Sequence, residues 1–428
     1  MKKNRSNRVY WDTAAGTPVD KRVLQAMLPY LGCSSLGDEQ IGRWGNPASI
    51  HKEGVEASRA VEEARAKIAE ILFAHPDEII FTGSGTESDN LAILGTAEIN
   101  QGRALITTTI EHKAVLEPCH YLQRKGFKVT YLKTDQNGQI DLKELRETLT
   151  RDTFLVSVML ANNENGAIQP IKEVAKILRH FKKENKIDTH TGQASKPYLH
   201  IDACQAPRFL DLNVEKLGVD LMSFNGSKIY GPKGVGCLFV RRGVILQPQI
   251  MGGGQERGLR SGTLNVPGIV GLARALGICQ KEREQEVKKL TKLQIKLIAE
   301  LKKIKDLTIN GPILQTGSAV RRTTSGFPLR QGFEGQALEV ALLTASPLTL
   351  SRLPNNINFS IAGFEGEQLV IELDAKGFAV SSGSACSSND PINNNVRVSF
   401  GREVKISEVN DFIRKLKQIV EKYKSAII

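Results

Sequence analysis

The chain has 428 residues, with 58 lysines and arginines against 46 aspartates and glutamates, and a formal net charge of +12. This length suffices for two domains, or for one large domain with a smaller one appended, and the 40% hydrophobic fraction is that of a globular protein. The basic start, Met1 to Arg8, is not followed by a long apolar run, and no later stretch could span a bilayer. Neither a secretory signal nor a membrane span is therefore predicted.

The cysteines are scattered along the chain, with no Cys-x-x-Cys pair and no histidine at metal-ligand spacing. This pattern predicts neither a disulfide framework nor a metal site, and it fits a cytoplasmic, reducing location. The six are Cys33, Cys119, Cys204, Cys237, Cys279 and Cys386.

Between residues 77 and 241 short β-rich runs alternate with amphipathic helices, after a clear helix that carries Val61, Ala64 and Ile68 on one face. Strands separated by helices of this length predict an α/β fold with a mainly parallel seven-stranded sheet flanked by helices. The predicted strands are 78–82, 104–109, 128–132, 154–160, 198–202, 221–224 and 236–240.

The composition changes after Pro267, and the remainder predicts a smaller α+β domain. A lysine-rich segment, 281–305, has apolar residues at helical spacing, which is typical of an amphipathic helix with a solvated basic face. Because no nucleic-acid motif accompanies the basic charge, direct nucleic-acid binding is not predicted. Further strands are expected at 357–361, 378–382 and 396–400, and a final helix at about 406–423.

The predicted organisation is an N-terminal segment, 1–20, that packs with the small domain, a large domain, 21–266, and a small domain, 267–428. Residues 315–354 contain several Gly, Ser, Thr and Pro residues and are interpreted as an insertion. Residues 185–196 are polar and are expected to form a surface loop between a helix and a strand.

Cys386 lies among small and polar residues in the run 381–388, after a short apolar stretch. A thiol on a loop just past a strand can meet other molecules, and loops at such places often carry chemistry. The alternative is an ordinary turn with a small buried thiol.

A glycine-rich turn, 83–90, follows the first predicted strand and opens a helix. Free backbone N–H groups and the positive end of the helix dipole suit a phosphate, although helix capping alone would favour the same residue types.

Two later strands end in or are followed by polar residues that, with the glycine-rich turn, suit one kind of cofactor. Asp202 ends one strand, and Lys228 follows another in a glycine-rich stretch. An anion cradle, a carboxylate for a pyridine nitrogen and an amine for a Schiff base are together what pyridoxal phosphate requires.

With these motifs in order, the chain resembles the cysteine desulfurases of the class V aminotransferase group, which are fold-type I pyridoxal phosphate enzymes. The resemblance covers nearly the whole length, including Lys228-Ile229-Tyr230-Gly231-Pro232-Lys233-Gly234. The other matching segments are 12–18, 45–51, 81–90, 111–115, 162–164, 202–205, 252–263 and 381–386.

The resemblance implies a role for each matching residue. Lys228 would form the Schiff base, Asp202 would pair with the pyridine nitrogen, and His112 would stack on the ring and move protons. Gln205 and Asn163 would bind the ring hydroxyl, and Arg397, with Asn163, would bind the substrate carboxylate, which a guanidinium suits by its planar fork. The phosphate contacts would come from Gly85, Thr86, Asn225, Ser227 and, from the partner subunit of a homodimer, Thr263.

The implied reaction converts L-cysteine to L-alanine and leaves the sulfur on Cys386 as a persulfide, for iron-sulfur cluster assembly or tRNA thiolation. The sulfur acceptor would be a protein such as an iron-sulfur scaffold. The alternatives are a selenocysteine lyase or another carbon-sulfur lyase of this fold, and a non-catalytic scaffold relative.

The chain departs from the family pattern at two places near the implied site. Ser227 and Asn225 stand where the family usually has histidine and serine, which leaves the phosphate contacts open. Ten residues separate Cys386 from Arg397, fewer than in the better-known bacterial members, so a short and constrained loop is expected.

Overall fold

The computed structural model describes residues 8–32, 43–100, 103–187, 196–313, 350–383 and 394–426, with side chains to residue 423. Cys386, most of the 315–354 segment and most of the 185–196 segment lie outside these ranges. None of the helices in the described ranges is long and apolar enough to cross a membrane.

The strands include all seven that the alternating pattern predicts. They are β1 (Val9–Tyr10), β2 (Ile79–Thr82), β3 (Ala104–Thr108), β4 (Lys128–Leu132), β5 (Thr153–Ser157), β6 (Tyr198–Asp202), β7 (Leu221–Asn225), β8 (Gly236–Val240), β9 (Leu307–Asn310), β10 (Asn356–Ile361), β11 (Phe378–Ala379) and β12 (Asn395–Ser399).

The helices alternate with the strands through the first part of the chain. They are α1 (Lys21–Met27), α2 (Lys52–Leu72), α3 (Gly85–Ile99), α4 (Lys113–Arg124), α5 (Leu142–Thr148), α6 (Ile171–Glu184), α7 (Val214–Leu217), α8 (Val266–Leu301), α9 (Gly366–Ala375) and α10 (Ile406–Ala426).

The large sheet has the order β2-β8-β7-β6-β5-β3-β4. Strand β8 runs antiparallel to both of its neighbours, and the other pairs are parallel, which confirms the mainly parallel prediction. Most of its strands are buried along their length, because helices cover both faces. The carboxyl ends of β5, β6 and β7 therefore meet at one edge, where α/β sheets bind ligands.

The C-terminal part forms a second, antiparallel sheet, β12-β10-β9. The N-terminal strand β1 pairs in parallel with β11 of this part. Trp11 is 1% exposed and contacts the rings of Phe378, Phe400 and Phe412, so the N-terminal segment contributes to the C-terminal core.

Helix α8 differs from the expected separate basic helix. It has 36 residues, begins at Val266, and the 281–305 segment supplies its second half. Pro267 does not interrupt it, since proline in the first helical turn lacks only an N–H that would have no intrahelical partner. Its apolar stripe, including Leu290 and Leu297, is buried as the spacing predicts. The predicted boundary at 266/267 thus falls at the start of a helix, and the division into domains stays a prediction.

Candidate functional site

A cavity of about 300 Å³ lies at the carboxyl edge of the large sheet. Ten of the twelve predicted site residues line it. These are Gly85, Thr86, His112, Asn163, Asp202, Gln205, Asn225, Ser227, Lys228 and Arg397. A larger cavity of about 410 Å³ next to α6 contains none of them.

One end of the cavity is the N-terminus of α3. Ser84 caps the helix by accepting a hydrogen bond from the Glu87 N–H at 3.1 Å. The N–H groups of Gly85 and Thr86 then have no intrahelical partner and are available to an anion, with the helix dipole behind them. A Cβ at Gly85 would come within 2.5 Å of the Cys204 sulfur, so only glycine permits this close approach of helix and strand end.

The two substituted residues, Ser227 and Asn225, contact each other. The Ser227 hydroxyl donates to Asn225 Oδ1 at 3.1 Å, and Asn225 Nδ2 donates to the Cys204 sulfur at 3.4 Å. The Asn225 amide is therefore fixed beside the α3 N-terminus, where it can also face a phosphate.

The acidic end of the cavity is formed by Asp202 at the end of β6. Its Oδ1 accepts a hydrogen bond from the Cys204 N–H at 2.8 Å. The side chain is 7% exposed, and water therefore screens its charge weakly. A carboxylate in this place can hold a protonated ring nitrogen.

His112 is the N-cap of α4, and its Nδ1 accepts a hydrogen bond from the Ala114 N–H at 3.1 Å. Burial lowers the pKa of His112, and the cation of Lys228 lowers it further, against the opposing effect of Asp202. A neutral ring that accepts at Nδ1 carries its proton on Nε2. The side chain can therefore exchange a proton at that nitrogen.

Lys228 lies in a short 3-10 turn directly after β7. Its Nζ donates to the Ala15 carbonyl at 2.6 Å. Gln205 Nε2 donates to the neighbouring Ala14 carbonyl at 3.0 Å. The N-terminal segment thus forms one wall of the cavity and positions both side chains.

Arg397 comes from β12 of the C-terminal part and is 1% exposed. Its Nη2 donates to Asp12 Oδ1 at 2.8 Å, and its Nη1 donates to the Asn163 carbonyl at 3.2 Å. Its Nε has no hydrogen-bond partner among the described residues. The guanidinium is therefore held rigidly at the cavity with donor capacity for a carboxylate.

The remaining two predicted site residues are Thr263 and Cys386. Thr263 is exposed and does not line this chain's cavity. Cys386 belongs to the part of the chain that the structure does not describe.

The cavity also contains residues that the sequence did not single out as site residues. Asp89 and Cys204 line it, and Asp12 holds Arg397. All three lie inside the segments that match the family, so those segments could have identified them as candidate site residues. Which of these side chains would face the cavity was not evident, because the sheet and helix contacts decide it.

The donor set fits pyridoxal phosphate. An anion cradle at Gly85 and Thr86, the carboxylate of Asp202 and the amine of Lys228 line one cavity. The fold and the site together define a fold-type I pyridoxal phosphate enzyme.

The sequence comparisons give the family. The chain belongs to the class-V aminotransferase family, whose model matches residues 9–342, and pyridoxal phosphate is accordingly its cofactor. It is 39% identical over 435 residues to the cysteine desulfurase IscS of Dictyoglomus turgidum, covering 97% of this chain and 95% of that one. It is 40% identical over 381 residues to the cysteine desulfurase IscS 1 of Archaeoglobus fulgidus, covering 89% and 84% of the two chains.

Solved structures agree with this assignment. A NifS-like protein superposes with a TM-score of 0.79 at 38% identity, covering 97% of this chain and 99% of that one. A cysteine desulfurase from Thermococcus onnurineus has a TM-score of 0.75 at 24% identity, covers 97% and 95% of the two chains, and supports the fold alone. The predicted family resemblance is confirmed.

Proposed function

We propose that this protein is a cysteine desulfurase that converts L-cysteine to L-alanine and transfers the sulfur to one of its own thiols. The observation that carries this proposal is the meeting of Lys228, Asp202 and Arg397 at one cavity, although Arg397 comes from a different sheet. The relatives named cysteine desulfurase at about 40% identity support the same activity.

The residues of the cavity divide the work between binding and proton transfer. Arg397 would bind the carboxylate of L-cysteine through its planar fork, since Asp12 and Asn163 hold the guanidinium in place. Pyridoxal phosphate, when bound, supplies the electron sink that makes a Cα proton acidic. His112, neutral and protonated on Nε2, would hold or pass protons beside the substrate.

The sulfur is proposed to move to Cys386. Its thiolate would attack the sulfur of cysteine, the carbon–sulfur bond would break, and Cys386 would keep the sulfur as a persulfide while alanine leaves. The described cysteines are poor candidates, because burial raises the pKa of the thiols of Cys119 and Cys279 to about 12 and raises those of Cys204 and Cys237 as well.

A homodimer with shared sites is also proposed. Thr263 lies in a loop folded back on itself, since the Ser261 N–H donates to the Ile250 carbonyl at 3.2 Å. In the same loop Met251 is 77% exposed. An exposed apolar side chain beside a polar residue that misses its own chain's cavity supports contact with a second copy. The acceptor of the persulfide sulfur would be a protein such as an iron-sulfur scaffold, and the cytoplasmic location stays a prediction.

The proposed activity is tested by supplying L-cysteine to the purified, yellow holoenzyme and measuring alanine and, with a reductant, sulfide. Lys228→Ala should abolish alanine formation, and Cys386→Ala should abolish sulfur release while the cofactor still binds. A preparation that cannot be loaded with pyridoxal phosphate would favour the scaffold alternative. Turnover with L-selenocysteine but not with L-cysteine would favour the lyase alternative. Unchanged sulfide release by Cys386→Ala would exclude the persulfide on that residue.

A further inference from the structure

Asp89 is a buried carboxyl group in the cavity that the proposed reaction does not use. It lies in the second turn of α3, is 1% exposed, and lines the cavity together with Asp202 and Lys228. Its Oδ1 accepts no hydrogen bond from any described residue. Because a buried carboxylate ordinarily has a cation or several donors around it, the state of Asp89 needs an explanation.

An imidazole ring lies close to the unpaired oxygen of Asp89 but carries no charge. His200 Nε2 lies 3.5 Å from Asp89 Oδ1. His200 Nδ1 is 2.8 Å from the Ser157 hydroxyl, and Nε2 is 3.0 Å from the Ser223 hydroxyl. Burial lowers the pKa of His200 to about 3, so the ring is neutral. Asp89 therefore faces dipoles at this side, not a cation.

Other carboxyl groups act on Asp89 from neighbouring elements. Burial raises the pKa of Asp89 well above its usual range, and the charge of Asp202 on β6 raises it further, as does Glu111 before α4. A hydrogen bond with Ser223 acts in the opposite direction. Two carboxyl groups that repel each other in a buried place do not both ionise. The other titratable groups at the cavity are His112, Cys204, Lys228 and Arg397.

We propose that Asp89 is a positioning residue for the ring nitrogen of the cofactor: with Asp202 it forms a two-carboxyl site that holds one proton and one negative charge. This inference rests on the proposed function, because it takes pyridoxal phosphate as the occupant and Asp202 as the partner of the ring nitrogen. With Asp89 neutral, the charge stays on Asp202, beside the ring. If Asp202 is made neutral, the charge passes to Asp89 and the site keeps a carboxylate.

The test is a double-mutant cycle on cofactor affinity, without substrate. The full-length parent, Asp89→Asn, Asp202→Asn and the double variant are freed of cofactor and titrated with pyridoxal phosphate, followed by the absorbance of the bound form. Asp89→Asn should bind within about threefold of the parent, because an amide replaces a neutral carboxyl group. Asp202→Asn should bind about tenfold or more weakly, and the double variant about a further tenfold, because only then is no carboxylate present.

Glu111→Gln provides the matched control. Glu111 is also buried, but its side chain does not line the cavity. Asp202→Asn with Glu111→Gln should bind the cofactor as Asp202→Asn does alone. Equal affinities for Asp202→Asn and the Asp89/Asp202 double variant would overturn the proposal, and so would a loss in Asp89→Asn as large as that in Asp202→Asn. A parent protein that binds no pyridoxal phosphate would instead overturn the proposed function.

Infrared spectroscopy gives a second measurement that does not depend on the folding of the Asp202 variants. A protonated carboxyl group has a stretching band separate from that of carboxylates. The parent should show the band of a neutral buried acid that Asp89→Asn removes, whereas Glu111→Gln should remove a different component. If Asp89→Asn removes no such band at neutral pH, Asp89 is ionised and the proposal is wrong.

Discussion

At the scale of single residues, Arg397 shows how a surface-type side chain becomes part of a site. It is almost fully buried, yet two of its three nitrogens are already held by Asp12 and the Asn163 carbonyl. This arrangement fixes the plane of the guanidinium before substrate arrives, which reduces the ordering needed on binding.

We predict that Arg397→Lys raises KM for L-cysteine about tenfold or more with a smaller change in kcat, because a single ammonium cannot keep both contacts and also offer two parallel hydrogen bonds to a carboxylate. Steady-state kinetics of alanine formation measure this. Arg242→Lys, in an exposed pair with Asp77, is the control and should leave both constants unchanged. A lower kcat with unchanged KM would contradict the assignment of Arg397 to carboxylate binding.

Glu111, next to His112, is a second residue whose environment decides its charge. Its Oε1 accepts hydrogen bonds from the Thr108 hydroxyl and the Met159 N–H, both at 2.8 Å, whereas its Oε2 has no partner among the described residues. Burial raises its pKa to about 8 from 4.5. The native protein therefore keeps a proton on Glu111 over a pH range in which the unfolded chain has lost it.

The sign of the pH effect follows from this difference. Since the native state binds the extra proton, the free energy of unfolding should fall as pH rises from about 4.5 to about 8, by at most about 1.4 kcal/mol per unit. Glu111→Gln cannot titrate, so the parent should lose stability relative to this variant over that range. Denaturant unfolding of both proteins at pH 5, 6, 7 and 8 measures it, and parallel stability curves would contradict the raised pKa.

At the scale of elements, a buried ion pair joins α2 to the large sheet and to the loop that contains Thr263. Arg65 Nη1 and Nη2 lie 2.9 and 2.8 Å from the two oxygens of Glu256, which is 0% exposed. Glu256 also accepts from the Phe81 N–H at 2.9 Å. Three elements therefore depend on one carboxylate.

We predict that Glu256→Gln lowers the free energy of unfolding by about 3–5 kcal/mol, because it removes the buried counter-ion of Arg65 and leaves only the exposed Glu62, whose Oε1 lies 3.1 Å from Arg65 Nε. The matched control is Asp77→Asn, which breaks the exposed pair with Arg242 and should cost less than about 1 kcal/mol. Denaturant midpoints of the two variants compare them directly. If both variants lose the same free energy of unfolding, the buried pair of Arg65 and Glu256 stabilises the fold no more than the exposed pair does.

At the scale of the whole molecule, the proposed dimer predicts that two different inactive chains can together form one complete site. If Thr263 serves the partner's site, a mixed dimer of Lys228→Ala chains and Thr263→Ala chains has one site with an intact Lys228 and an intact Thr263. Each variant alone should be impaired. Equal amounts of the two chains, dissociated and reassembled together, should regain up to about a quarter of the parent's cofactor binding, because about half of the dimers are mixed and each mixed dimer has one complete site of two.

The recovery of cofactor binding shows whether Thr263 serves the partner's site or its own. Bound cofactor per dimer, measured by absorbance after size-exclusion separation, gives the readout, and each homodimer carried through the same reassembly is the control. If Thr263 acts within its own chain, the mixed dimer has no complete site and no recovery occurs.

Much of the fold followed from local patterns. The seven strands of the large sheet were predicted within a few residues because most of them are buried and therefore have a strong apolar signal. Strand β9 was not predicted, since its half-exposed residues Leu307–Asn310 have no such signal. The early half of α8 was also missed, because Pro267 resembles a boundary in the sequence but is compatible with the first turn of a helix.

The sequence by itself determined the family and the chemical groups of the site, because Lys228, Asp202 and the glycine-rich turn before α3 lie in continuous motifs whose residue types are set by the cofactor's chemistry. The tertiary structure alone decided which side chains share the cavity. Arg397 reaches it by the pairing of β12 with β10, Asp12 reaches Arg397 through the N-terminal segment, and Asp89 faces it by the packing of α3 on the sheet. These contacts join residues far apart in the chain, and their charge states depend on burial, which no local pattern contains.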